Sequence, residues 1–272
     1  MQHNVYPILL SFDLEEFDLP TEYGVGIALS DQIAITTEGL QTLLDTLSRY
    51  AIKATFYTTV RYALQQSAWI QKLIEAGHEL ASHGLHHGTC DKADYRASRE
   101  KLQQQFHVAV HGFRMPRMKQ VDIHALAQAG YAYHSSLHPT CIPGRYCHLR
   151  AARGVTSQQH LLHIPPSVTP RWRIPLFWLS FHHLPQKMYM HLCKQTLEHD
   201  GYLHLYFHPW EWASWPQKLK KRMPRYLHLQ NGMQMQKRFE QWIDFMLMQS
   251  TQWTTTHAWM IANFHASDYP GL

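Results

Sequence analysis

The sequence predicts an α/β fold of the (β/α) barrel kind, with about seven or eight strand–helix units and an irregular or incomplete closure. Three observations lead there. Short apolar segments alternate with longer ones whose apolar residues recur at helical spacing. The links are short, and each helical stretch stops near a glycine or a polar turn, which suits parallel strands joined by crossover helices. The chain has 272 residues and no internal repeat, a length that fits one such barrel. A doubly wound open sheet satisfies the same alternation and stays as the second architecture.

In order along the chain, "VYPILLSFDLE" reads as a buried strand running into acids, and "TTEGLQTLLDTLSRYA" as a helix leading to the strand "KATFYTT". A helix around Trp69 to Ala76 precedes the strand "HELASH", and one around Asp91 to Gln105 precedes "VHGFRM". A helix around Asp122 to Ala129 precedes "YAYHSS". Residues 139–175 carry many prolines and arginines, yet apolar residues continue through them. That stretch reads as an elaborated loop within a single domain spanning 1–272, with one strand at "HLLHIPP". "IPLFWLSF" is too short to span a bilayer and begins a helix that is buried or covers a site. The helix it belongs to runs to about Asp200, followed by the strand "YLHLYFH", a helix from Met233 to Met248 and a final strand–helix pair at "WTTTHAWMIANF".

Composition narrows the function. Hydrophobic residues at 45% and charged residues at 17% describe a globular chain with a large core. The net charge of +5 is partly local, in "PQKLKKRMPR", where Lys218, Lys220, Lys221, Arg222 and Arg225 crowd together. Such a run is ordinarily a solvated loop; its functional reading is contact with an anionic glycan or lipid surface. No basic run is interleaved with stacking aromatics, so nothing points to nucleic acid. The four cysteines (Cys90, Cys141, Cys147, Cys193) form no C-x-x-C pair and too few links for a disulfide scaffold, which suits a reducing compartment. The N-terminal stretch has no charged n-region and its apolar run stops at Asp13. It therefore reads as neither signal peptide nor membrane span. These features predict a cytoplasmic protein, with the inner face of the membrane as the second location.

The ionisable residues fall at strand ends. Asp13 and Glu15 close the first strand and, two apart, share a face, with Leu14 and Glu16 on the other. His83, Arg114 and His208 end later strands. In parallel barrels the C-terminal strand ends build the active site, so these groups are expected at one mouth. "ASHGLHHG" holds three histidines. On a helical turn His83 and His87 share a face, His83 and His86 are the i,i+3 competitor, and only one of the adjacent pair can be chosen. Spacing favours His87. Two imidazoles with a carboxylate and an open position make a catalytic site for a divalent ion, and Glu15 is the natural third ligand.

Taken together, these motifs resemble the polysaccharide deacetylases of the NodB-homology type, nearest to bacterial members of surface-glycan biosynthesis. "SFDLEEF" is similar to the family's first acidic motif, "SHGLHH" to its H-x-x-x-H metal motif, "GFRMP" to its R-x-P motif and "YLHLYFHPWE" to its late histidine motif, in the family's order. The resemblance implies a divalent ion, Zn²⁺ before Co²⁺, Ni²⁺ or Fe²⁺, held by Glu15, His83 and His87, with Asp13 as base, His208 as acid and Arg114 holding Asp13. It implies an N-acetylated glycan or lipid-linked sugar as substrate, and oxyanion stabilisation by the backbone near Arg117. The chain departs from the pattern in Asp-Leu-Glu for the usual adjacent Asp pair, Arg117 for an aromatic and His134 for an Asp before "SS". Glu211 is the candidate to orient His208 in place of that Asp. Trp172, Trp178, Trp210 and Trp212 are candidate sugar-stacking surfaces or core residues. A small amide or formyl substrate, a silent glycan-binding module and a histidine-rich metal buffer are the competing functions.

Overall fold

Residues 5–264 are described in the computed structural model. Its strands are β1 (Tyr6–Leu14), β2 (Thr55–Thr58), β3 (Glu79–Ser82), β4 (Gly112–Phe113), β5 (Tyr133–His134), β6 (Cys141–Ile142), β7 (Tyr146–Cys147), β8 (Thr156–Gln158), β9 (Leu161–His163), β10 (Leu203–Phe207) and β11 (Thr251–Thr254). The helices are α1 (Leu29–Arg49), α2 (Val60–Gln65), α3 (Ser67–Glu75), α4 (Lys92–Phe106), α5 (Ile123–Gln128), α6 (Trp178–His183), α7 (Gln186–Asp200), α8 (Gln217–Lys220), α9 (Met233–Leu247) and α10 (Thr256–Asn263).

β1 is buried along nearly its whole length, as an apolar run flanked by parallel neighbours requires. It pairs with β10 through Ile8–Phe12 and with β2 through Ser11–Leu14, both parallel. Because Ile8 and Leu9 pair with both β10 and β11, β11 lies on the β2 side, ahead of β2. From β2 the sheet continues parallel through β3, β4, β5 and β9, with β8 antiparallel at the edge. Beyond β9 the chain reaches the opposite edge. Ser167 N–H donates to the His204 carbonyl at 2.8 Å, and His204 N–H donates to Ser167 Oγ at 2.9 Å. The two edges of the sheet therefore meet at one point. This is a curled, incomplete barrel, and the open doubly wound sheet is excluded.

Most expected elements are present with shifted ends. α1 begins seven residues before Thr36, and α2 lies where no helix was expected, its first turn capped by Thr59, whose hydroxyl accepts the Tyr62 N–H at 3.2 Å. The 139–175 stretch holds four short strands rather than one. Two of them form the hairpin β6–β7, with Cys141 and Cys147 directly opposite and disulfide-bonded. That bond is a local staple; Cys90 and Cys193 are free thiols. Among the described residues no helix is long and apolar enough to cross a membrane.

Candidate active site

The C-terminal ends of β1, β3, β4 and β10 deliver the polar groups. Asp13 is the penultimate residue of β1 and Glu15 follows it; His83, Arg114 and His208 each come one residue after their strands. Alternation sends Glu16 the other way, where it accepts from Thr59 Oγ1 at 2.8 Å and pairs with Arg61. Asp13, Glu15, His87 and His208 line one cleft of about 50 Å³, walled by Trp178, Trp210, Phe177 and Tyr206 and rimmed by Glu22, Arg117 and Arg145.

Three of these groups converge. Glu15, His83 and His87 present ligand atoms within 4.8 Å of one another. Glu15 Oε2 lies 3.1 Å from His83 Nε2 and 3.0 Å from His87 Nε2. The other ring nitrogens are committed. His83 Nδ1 lies 2.8 Å from the Arg114 carbonyl, and His87 Nδ1 lies 2.6 Å from Asp18 Oδ1. A carbonyl or carboxylate only accepts, so each Nδ1 carries a proton and each neutral ring turns an Nε2 lone pair toward Glu15. Three acceptors facing one another need a cation between them, and a histidine held through Nδ1 by a carbonyl or carboxylate is the usual support of a metal ligand. The donor set therefore fits a divalent ion. Without one a proton takes its place. Burial would depress the His87 pKa, but the Glu15 and Asp18 carboxylates raise it well above the ordinary value. Burial would likewise raise Glu15, but the charge of His87 and hydrogen bonds from both rings hold it well below the carboxylate range.

The reason offered above for the His83–His87 pairing is corrected by the structure. Residues 83–90 form no helix; the chain turns at Gly84, whose φ is +80°. Such a left-handed turn suits glycine. It brings His87 back to the cluster, whereas His86 points elsewhere, its Nδ1 accepting the Thr89 N–H at 3.4 Å.

Arg114, fully buried, places Asp13. Its Nη1 donates to Asp13 Oδ1 at 2.5 Å, its Nη2 to Ser11 Oγ at 2.9 Å and Ser135 Oγ at 3.1 Å, and its Nε to the Ser135 carbonyl at 3.2 Å. The guanidinium sits between the rings of Tyr57 and Tyr206. His208 stacks on Trp210 and meets Trp178 edge-on, with Nε2 4.0 Å from Asp13 Oδ2. Glu211, also fully buried, accepts from the His208 N–H at 2.6 Å and lies 3.1 Å from His208 Nδ1 and 2.8 Å from His182 Nε2. Burial pushes the Glu211 carboxyl up, but the hydrogen bonds from His182 and His208 lower it below its usual value.

Residues 25–134 match the family model described as Polysaccharide deacetylase. Over those residues the chain is similar to the polysaccharide deacetylases. A putative polysaccharide deacetylase from Mycobacterium smegmatis is 16% identical, with 98% of this chain and 93% of that one covered at a TM-score of 0.64. A probable polysaccharide deacetylase from Pseudomonas aeruginosa PAO1 is 12% identical (93% and 88% covered, TM-score 0.63), and the Puue allantoinase is 11% identical (94% and 91%, TM-score 0.63). At these identities the likeness is one of fold. No curated protein matches the chain.

The departures from the family pattern find places in the structure. Arg117 stands at the cleft rim with φ at +60°, a left-handed conformation that is costly for a non-glycine residue. His134 lies in a second cavity, stacked on His163, away from His208. Of the four tryptophans, Trp178 and Trp210 line the cleft, Trp212 packs among Phe12, Phe207 and Phe239, and Trp172 is exposed beside Arg171. Sequence reasoning passed over Ser11, Asp18, Ser135, His182 and His204. His204 had a signal, since it alternates with Tyr206 and His208 on one face of β10; its Nε2 lies 3.3 Å from Arg114 Nη2. Asp18 and His182 had none: Asp18 lies after β1 and His182 on α6, and only tertiary packing brings them to His87 and Glu211.

Proposed function

We propose that the protein is a metal-dependent hydrolase that removes an N-acetyl group from a sugar of a polysaccharide or a lipid-linked glycan precursor. The observation that carries this is the three-acceptor cluster of Glu15, His83 and His87, beside an Arg-held carboxylate and a carboxylate-held histidine in one cleft. A divalent ion held there, Zn²⁺ by its donor set, would supply Lewis acidity toward the acyl carbonyl and make a water acidic. Arg114 fixes Asp13 through Oδ1, which leaves Oδ2 on the His208 side to take the proton of the attacking water. An amine leaves only when protonated. His208, its Nδ1 held 3.1 Å from Glu211, offers Nε2 to deliver that proton. The backbone N–H beside Arg117 is assigned to the oxyanion. Trp178 and Trp210 face the sugar.

A lipid-linked substrate is supported by one surface. Lys218, Lys221, Arg222 and Arg225 are exposed beside exposed Tyr226, Leu229 and Met233, apolar groups that a soluble glycan would leave uncovered. Tyr226 packs on His183 of α6, whose Trp178 walls the cleft. The test of the function is acetate release from N-acetylated amino sugars. It should stop on chelation and return with Zn²⁺; release indifferent to chelator would refute the metal-dependent mechanism.

A further inference from the structure

With its acyl group beside Asp13 and Glu15, a sugar ring in this cleft would lie against the charged mouth. An ion-pair clasp closes that mouth. Glu22, in the short turn Leu19–Tyr23, places one carboxylate oxygen on Arg117 Nη1 and the other 2.9 Å from Arg145 Nη2. Arg117 also holds Asp18 Oδ2 at 2.8 Å. The two arginines arrive from unrelated parts of the fold. Arg117 follows β4 on a left-handed backbone, and Arg145 sits at the tip of the hairpin that Cys141–Cys147 staples. All three side chains are partly exposed on the cleft rim.

A neutral sugar entering this mouth would break the pairs of Glu22 with both arginines and return nothing to the guanidinium groups. A sugar with a carboxylate or phosphate would replace one anion by another, and forked guanidinium groups suit both oxyanions. We propose that Arg117 and Arg145 form an anion subsite, filled in the free protein by Glu22, that takes a carboxylate or phosphate borne by the N-acylated sugar itself. The subsite selects an acidic amino sugar or a sugar phosphate over a neutral one. It rests on the deacylase reading above for its placement next to the reacting group, but its binding chemistry is separable.

The test has a binding arm and a turnover arm. By calorimetry, glucuronate and glucose 1-phosphate should bind the wild type at least ten-fold more tightly than methyl glucoside, and their relative affinities say which anion is preferred. Arg145→Met should lose that preference ten-fold or more without weakening the binding of methyl glucoside. Glu22→Gln removes the internal competitor and should tighten both anions. A merely structural clasp predicts the opposite, loosened binding of every probe. In turnover, an N-acetylamino uronic acid or an N-acetylamino sugar 1-phosphate should show a KM ten-fold or more below the neutral methyl glycoside, with the difference erased in Arg145→Met. Equal binding of charged and neutral probes, or weakening of anion binding by Glu22→Gln, overturns the proposal. Anion-selective binding without acetate release from any compound upholds the subsite and refutes the deacylase reading instead.

Discussion

Gly39, in the middle of α1, faces the turn that carries His208 and Glu211. A Cβ built on it would lie 1.8 Å from the Pro209 carbonyl oxygen and 2.7 Å from its carbon, both backbone atoms that cannot swing aside. Relief to 3.0 Å requires helix and turn to part by about 1.2 Å. Overpacking of a dense interior costs about 1–3 kcal/mol, and a displacement of roughly 1 Å in a catalytic group costs about 100-fold in rate. Gly39→Ala should therefore lower the melting temperature and cut acetate release by about two orders of magnitude, since His208 and Glu211 move together. Thermal melts and single-substrate kinetics on the purified variant read both effects. Wild-type stability with wild-type turnover would refute the claim that this helix–turn contact sets the position of His208.

The remaining predictions address the metal site, the buried histidines and the basic surface. His87→Ala should abolish tight binding of one Zn²⁺ per chain while His86→Ala leaves it intact, read by metal analysis after dialysis; the reverse result would assign the wrong imidazole. Burial, with Lys53 nearby, lowers the His78 pKa to about 4, and burial lowers His163 to about 4 and His138 to about 3. Above pH 6.5 these rings are neutral in both states, and below it the unfolded chain takes up protons that the fold refuses. Stability should thus fall from about pH 6.5 toward pH 4, by about 3 kcal/mol for His78 alone; unfolding free energies that stay level from pH 7 to pH 5 would contradict this. Vesicles rich in anionic phospholipid should sediment the protein at low salt, and a Lys221→Glu, Arg222→Glu variant should stay in solution; sedimentation indifferent to both salt and charge would remove the case for a lipid surface.

How much of this was legible in the sequence depends on how local the signal is. The parallel strands were readable because burial on both faces demands continuous apolar runs, and "YPILLSF" and "LHLYF" have no other use. Strands β4 and β5 were readable only as places, since two residues each carry no periodicity. The chemistry at strand ends was legible because an acid or imidazole ending an apolar strand is costly unless it serves there, and Asp13, Glu15, His83, Arg114, His87 and His208 meet at one rim. The turn at Gly84 was not legible, and the helical argument for His87 assumed a geometry the chain does not adopt. What escaped altogether reaches the site through tertiary contact: Asp18 behind His87, His182 behind Glu211, and the Arg145 hairpin folded across the mouth. No spacing rule joins residues 29, 69 or 123 positions apart.

The account turns on Asp13 as the base beside a metal held by Glu15, His83 and His87. Acetate release by Asp13→Asn, compared with wild type at equal Zn²⁺ content, tests it most directly. The account predicts one bound ion in both proteins and a rate about 10²–10⁴-fold lower in the variant. A variant that binds its ion and releases acetate at the wild-type rate would contradict it.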